Sequence, residues 1–542
     1  MAIEVQKLLL LLLPLFISIF PSISLEDGFV QCFSSNTPNP NATSQIIFTQ
    51  KNPSFKPILQ SSIRNLMFSH KSTPKPILIV TPHNISHIQS AITCSKQQGL
   101  QVRVRSGGHD YEGLSYTSHE EEDQPFIILD FSNLRSITIN LEDETAWVES
   151  GATLGELYHA IAKASRVHGF PAGSCPTIGI GGHLSGGGFG TIFRKYGLAA
   201  DNVVDAVIVD SHGRLLNRTL MGEDLFWAIR GGGGSSFGVI TSWKVKLVRV
   251  PETVTIFDIS TRVVEDDDDD DSVITFMKWQ DIADKLPGEM FLHAVMGIEN
   301  VNSSSSSSSN KAVTISFTGL YLGEADVAVS LMSENFAELG LQRNNCKQMS
   351  WIQSVLYFAG FSVNSSIDLL TQRNQTSRIS FKAKSDYVTS QQSIPLSGLK
   401  GLWKILLHED NSPLLILTPY GGRMSEISES ESPFPHRKGI NYGIQYIVSW
   451  DNSSDDEKYL EMMRRLYEYM TPYVSENPRR AYLNYRDLDL GVNRDKNTSY
   501  EEARTSWGSK YFKNNFERLA KVKAAVDLGN FFWNEQSIPP LI

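Results

Sequence analysis

Apolar positions between residues 25 and 250 fall into short runs whose period switches between helical and extended. Leu25 to Phe33 and Phe55 to Phe68 carry apolar residues at helical spacing, and Pro74 and Pro76 stop the second run. Ile77 to Val80 predicts a strand, and Pro82 to Gly99 a helix with Ile85, Ile88, Ala91 and Ile92 on one face. Val102 to Val104 predicts a second strand that feeds a glycine-rich loop at 105–113. Further strands are expected at Phe126 to Leu129, Thr145 to Val148, Val203 to Val209 and Val239 to Val248, with a helix over Leu154 to Ala164. Short β and α pieces in this order predict an α+β unit with its core at about 72–250.

Pro251 marks a change of composition. Val313 to Phe317, Leu414 to Tyr420 and Tyr442 to Trp450 read as strands, with helices over Ala325 to Gly340 and Asp455 to Tyr469. The block 251–475 is therefore expected to be an antiparallel sheet with helices on one face. Its acid run from Glu265 to Asp271 precedes a predicted helix and complements that helix's dipole. The tract Ser303 to Ser309 lies between two expected strands as a loop tip. The tail from Tyr482 to Ile542 contains a helix around Asn514 to Val526.

Composition narrows the class. A chain of 542 residues with 41% hydrophobic and 20% charged residues is globular, and too long for one core. A net charge of −10 argues against nucleic acid or an anionic membrane as partner. Lys7 followed by the apolar run Leu8 to Phe20, with Ser22 and Ser24 as small residues, reads as a cleaved signal peptide over 1–24. No later segment is apolar enough to span a bilayer. The expected route is therefore secretion. In that setting the sequons at Asn41, Asn84, Asn217, Asn302, Asn364, Asn374, Asn452 and Asn497 predict N-linked glycans on surface loops.

Chemistry concentrates in two glycine-rich loops, 105–113 and 173–190, each carrying one nucleophilic heteroatom, in His109 and Cys175. Backbone N–H groups of such loops can converge on a pyrophosphate. Neither loop is a Rossmann fingerprint, because after Gly179 and Gly181 the next required glycine position is Leu184. With Cys175 set aside for chemistry, a Cys32–Cys94 bridge and a buried Cys346 thiol are expected. Four cysteines leave other pairings open.

The loop Arg-Ser-Gly-Gly-His-Asp-Tyr-Glu-Gly at 105–113 and Gly-Ser-Cys-Pro-Thr-Ile-Gly-Ile-Gly-Gly-His at 173–183 resemble the plant berberine bridge enzyme-like flavoproteins. So do the stretches at 222–233, 484–491 and 534–540, and the cannabinoid synthases look like close relatives at 433–436 and 471–474. The resemblance implies a two-part FAD-binding domain of the vanillyl-alcohol oxidase kind plus the sheet domain. It implies FAD bonded covalently through His109 to the 8α carbon and through Cys175 to ring carbon 6. Arg105, Ser106, Gly107, Gly108, Asp110, Gly179, Gly181, Gly182, His183, Phe189, Gly238 and Val239 complete the implied cofactor site, and no metal is expected.

The same resemblance nominates Tyr485, Gln445, Tyr111, Tyr482 and Tyr420 for catalysis. Gln445 stands where berberine bridge enzyme has a glutamate, and Gly443 where cannabinoid synthases have one. Tyr485 is the first choice as base, and a phenol needs cationic or hydrogen-bond help for that role. Arg423 and Arg486 are the candidate helpers. Ile178 matches a position thought to control oxygen access. The expected domains are 25–250 for FAD, 251–475 for substrate and 476–542 returning to the first. The expected activity is oxidation of a phenolic or prenylated metabolite, an alcohol or a sugar by a monomeric enzyme, with O2 reduced to H2O2, and the resemblance to plant proteins makes the apoplast or the vacuole the expected location of the secreted chain. The rivals are a flavin-containing cyclase performing a Diels–Alder-type cycloaddition without net redox, and a wall carbohydrate-binding protein without activity.

Overall fold

The computed structural model describes residues 24–37, 40–119, 124–263, 271–300, 311–374 and 378–542. The signal segment before Ser24, most of the acid run and the serine tract lie outside these residues. Among the described residues no helix is long and apolar enough to cross a membrane.

Three sheets carry the site. The first has the order Ile47–Thr49, Leu78–Val80, Phe126–Asp130, Gln101–Arg105, with the last three strands parallel. Strands Leu78–Val80 and Phe126–Asp130 are buried throughout, which is why they read as unbroken apolar runs. Helix Ile85–Gln98 begins at Asn84, whose side chain accepts the His87 N–H, and ends at Gly99 in the left-handed conformation. The expected bridge joins it to helix Leu25–Asn36: Cys32 and Cys94 are bonded, with Cα atoms 5.7 Å apart. Cys346 is a buried free thiol. The second sheet is antiparallel, in the order Ile137–Asn140, Thr145–Glu149, Val239–Lys246, Val203–Val209, Leu215–Leu216.

The third sheet has seven antiparallel strands ordered Cys346–Met349, Val254–Arg262, Lys311–Tyr321, Met290–Asn300, Leu414–Pro419, Ile440–Trp450, Ser380–Thr389. Period-two alternation gives it two unlike faces. Met290, Leu292, Ala294 and Met296 share a core with Leu415, Leu417, Tyr442, Ile444 and Tyr446. Helices Asp271–Ile282, Leu396–His408 and Asp456–Tyr469 pack on that core through Trp279, Leu402 and Leu466. Residues between them in sequence, including Phe291, His293, Ile416, Thr418 and Gln445, face the opposite way, into a cavity. The alternation that builds the core thus also builds one wall of the site.

Two predicted helices end early. The one from Phe55 stops at Ser61 because buried Asn65 turns the chain, donating to the Tyr111 and Phe381 carbonyls and accepting the Phe381 N–H. The one from Ala325 ends at Asn335 and continues as a 3-10 turn, Ala337–Leu339. The tail packs back on the first part of the chain. Glu535 pairs with Arg103 at 2.7 Å, and Lys523 of helix Asn515–Val526 donates to the Ser236 carbonyl at 2.7 Å.

Candidate functional site

A cavity of about 560 Å³ lies between the two glycine-rich loops, the free face of the seven-stranded sheet and residues 482–486. Strand Gln101–Arg105 delivers the first loop to it, and the turn before helix Ile180–Ser185 delivers the second. The loops touch backbone to backbone: a Cβ on Gly107 would lie 2.3 Å from the Gly179 nitrogen, and one on Gly179 2.3 Å from the Gly107 nitrogen. Mutual contact therefore requires these two glycines. Gly182 differs, since a Cβ there would meet no protein atom within 4 Å although the residue lines the cavity. Its open side fits a bound group running past the backbone, as a dinucleotide would.

His109 and Cys175 both line this cavity. His109 Nε2 lies 2.9 Å from Thr177 Oγ1, and Cys175 Sγ lies 3.6 Å from the same oxygen. Burial, with the Arg64 charge, lowers the His109 pKa to about 3, so the ring is neutral. His183 is neutral too, lowered to about 4 by burial, and its Nε2 accepts the Gly173 N–H at 3.2 Å. Ser106 donates to the Ser150 carbonyl at 2.5 Å. Asp110 accepts the N–H groups of Glu112 and Leu114 and pairs with Arg486 at 2.8 Å. Gly108, Gly181, Phe189 and Gly238 also line the cavity.

Two candidate cofactor residues point elsewhere. Arg105 is fully buried, paired with Asp130 and donating to the Leu59 and Ile58 carbonyls, so its guanidinium is committed to the fold. Val239 packs in the core beside Val209 and Phe532.

The catalytic candidates form one aromatic cluster. Tyr111 and Tyr485 stack with centroids 5.5 Å apart and planes 7° from parallel. Gln445 donates to the Tyr111 oxygen at 2.8 Å. The Tyr482 oxygen accepts from Gly188 N and Asn484 Nδ2, both at 2.9 Å. Tyr420 stands one layer back, its hydroxyl 3.2 Å from that of Tyr387, bordering a narrow recess shared with Gly443, Phe189 and Tyr485. The Tyr485 hydroxyl has no hydrogen-bond partner among the described residues. Burial raises the pKa of Tyr485 well above 10, and Tyr111, Tyr482 and Tyr420 add to the rise. Neither candidate helper reaches it: Arg423 pairs with Glu426 at the surface, and Arg486 is held by Asp110.

The sequence reading missed the outer wall. Phe291, His293, Phe358, Ile416 and Thr418 face the cavity. Ring contacts place His293 between Phe291 and Phe358, at 5.3 and 6.1 Å. The signal was the alternation along Met290–Asn300, which shows a cavity face only once the strand is recognised.

Comparison with known proteins places this geometry in context. The profile of the FAD binding domain matches residues 76–218, and that of berberine and berberine like proteins matches 481–539. The chain is 49% identical over 524 residues to berberine bridge enzyme-like 26 of Arabidopsis thaliana, covering 96% of this chain and 95% of that one. It is 47% identical over 517 residues to tetrahydroberberine oxidase of Berberis wilsoniae, covering 95% and 94%. The crystal structure of Phl p 4, a grass pollen allergen with glucose dehydrogenase activity, superposes with a TM-score of 0.86 at 42% identity, covering 95% of this chain and 100% of that one.

Proposed function

Because the chain belongs to the berberine bridge enzyme-like FAD-dependent oxidoreductases, we propose that it is a secreted, bicovalent flavin oxidase of a phenolic or prenylated metabolite, or of an alcohol or sugar. The observation that carries the proposal is the pair His109 and Cys175, which face one cavity from two loops in mutual contact. When bound, FAD supplies a two-electron acceptor that passes its electrons to O2, giving H2O2. Residues 25–250 and 476–542 form the cofactor domain, and 251–475 the substrate domain. Secretion is supported by the disulfide and by the exposure of Asn84, Asn217, Asn364, Asn374, Asn452 and Asn497.

The chain's own groups divide the remaining work. Phe291, Phe358 and Ile416 offer an apolar wall that favours a flat or prenylated substrate, with His293 and Thr418 as polar contacts. Gln445 fixes the Tyr111 ring, and Tyr111 fixes Tyr485 by stacking. The Tyr485 hydroxyl, free of partners among the described residues, bonds the substrate oxygen. Burial keeps it protonated in the resting site, and a phenol cannot take a second proton, so it first donates to the substrate oxygen and acts as base only once its own proton has passed to solvent.

Acid precipitation tests the cofactor: the yellow colour is expected to stay with the polypeptide, and its complete release would overturn covalent attachment. Anaerobic mixing with substrate is expected to bleach the flavin, and Tyr485→Phe to slow bleaching by roughly 10²–10⁴-fold. Full-rate product formation with no bleaching and no peroxide would instead establish redox-neutral cyclisation.

A further inference from the structure

The two attachment residues share one neighbour that does not line the cavity. Thr177 is 1% exposed and sits behind both groups, its oxygen 2.9 Å from His109 Nε2 and 3.6 Å from Cys175 Sγ. We infer that the Thr177 hydroxyl prepares both groups for attachment, accepting the Nε2–H of His109 and donating its own proton to Cys175 Sγ. Thr177 is thus a positioning residue, and the inference rests on the bicovalent reading above.

The direction of the relay follows from counting protons. A neutral imidazole carries one N–H and one lone pair, and a hydroxyl has one proton to give. If Thr177 donated to Nε2, the ring N–H would sit on Nδ1 and take up the lone pair that a bond to the flavin needs. The sulfur would then have to donate S–H, a weak donor, to the oxygen. With the relay reversed, the imidazole N–H and the Thr177 hydroxyl proton each have a partner. Nδ1 presents its lone pair to the cavity, and the sulfur receives a hydrogen bond that fixes its direction.

Each attachment joins an N–H or S–H to a C–H of the flavin. One C–N or C–S bond forms, the N–H or S–H and the C–H break, and two protons and two electrons leave, which O2 takes up as H2O2. The Nε2 proton of His109 is the one released when Nδ1 is alkylated, and Thr177 already receives it.

Peptide mass spectrometry of digested, purified protein tests this without using activity, by reading flavin on the His109 peptide and on the Cys175 peptide separately. In Thr177→Val, which keeps shape and removes the hydroxyl, attachment at both peptides is expected to be about a hundredfold slower, the low end for a positioned proton-transfer group. Thr177→Ser is expected to restore wild-type stoichiometry. Flavin on both peptides of Thr177→Val at the wild-type rate would overturn the inference, as would loss of flavin from both peptides of Thr177→Ser. Should Thr177→Val yield no soluble protein, Thr177→Ala carries the same expectation and the same overturning result. Wild-type peptides without flavin would instead show that the bicovalent reading itself fails.

Discussion

Gly107 and Gly182 belong to the same pair of loops, yet they are glycines for different reasons. Gly107 has a backbone nitrogen 2.3 Å from where its Cβ would be, so any side chain forces the loops apart. Gly182 has no such neighbour, and what its missing Cβ leaves open is the cavity. Gly182→Ala is therefore expected to fold with wild-type thermal stability of the peptide chain but to lose most of its FAD, measured as flavin absorbance per polypeptide. Gly107→Ala is expected to lose soluble protein altogether. Full flavin content in Gly182→Ala would show that the cofactor does not pass that position. The motif at these loops was legible in the sequence because glycines, His109 and Cys175 are written there in order. Which glycine serves packing and which serves a ligand was not legible, since both read as the same letter.

At the scale of elements, strand Ser380–Thr389 explains what charge patterning concealed. Lys382, Lys384 and Asp386 are polar at positions where a half-buried strand should be apolar, yet all three are buried. Their partners lie far away in sequence. Lys382 pairs with Glu112 and with Asp487 at 3.0 Å, Lys384 with Asp487 and Asp489 at 2.7 Å, and Asp386 with Arg479. Burial works against the Lys382 charge, and Glu112, Asp487 and Asp489 outweigh it, raising its pKa above the ordinary range. This clamp joins the loop after His109, the sheet edge and the segment bearing Tyr485. Removing one partner strands the other charges in the interior, so Lys382→Met is expected to destabilise the protein by roughly 3–5 kcal/mol in denaturant titration. A loss below about 1 kcal/mol would mean that water screens the cluster.

For the whole molecule, the buried groups set a pH response. His183 has its folded pKa lowered to about 4 from an ordinary 6.5 by burial, so below 6.5 the unfolded chain binds a proton that the folded one refuses. Burial of Glu535 works the other way, but Arg103 and the His119 N–H hold its pKa down at about 2, so its contribution is lost as pH falls below the ordinary 4.5. Both effects have the same sign. The melting temperature is expected to fall steadily from pH 6.5 toward 4, and equal values at pH 7 and 4 would contradict these assignments. By itself the sequence determined the features written locally: the helices and strands of strong period and the two loops that identify the cofactor. Hydrophobic period and short motifs act over a few residues, so they survive in a linear reading. Only the tertiary structure decided which side chains share the cavity. It turned Arg105 and Val239 away, denied Tyr485 a cation, brought His293 into the cavity and set Thr177 behind it, against His109. Those outcomes depend on contacts between residues far apart in the chain, where packing and charge pairing outweigh local preference.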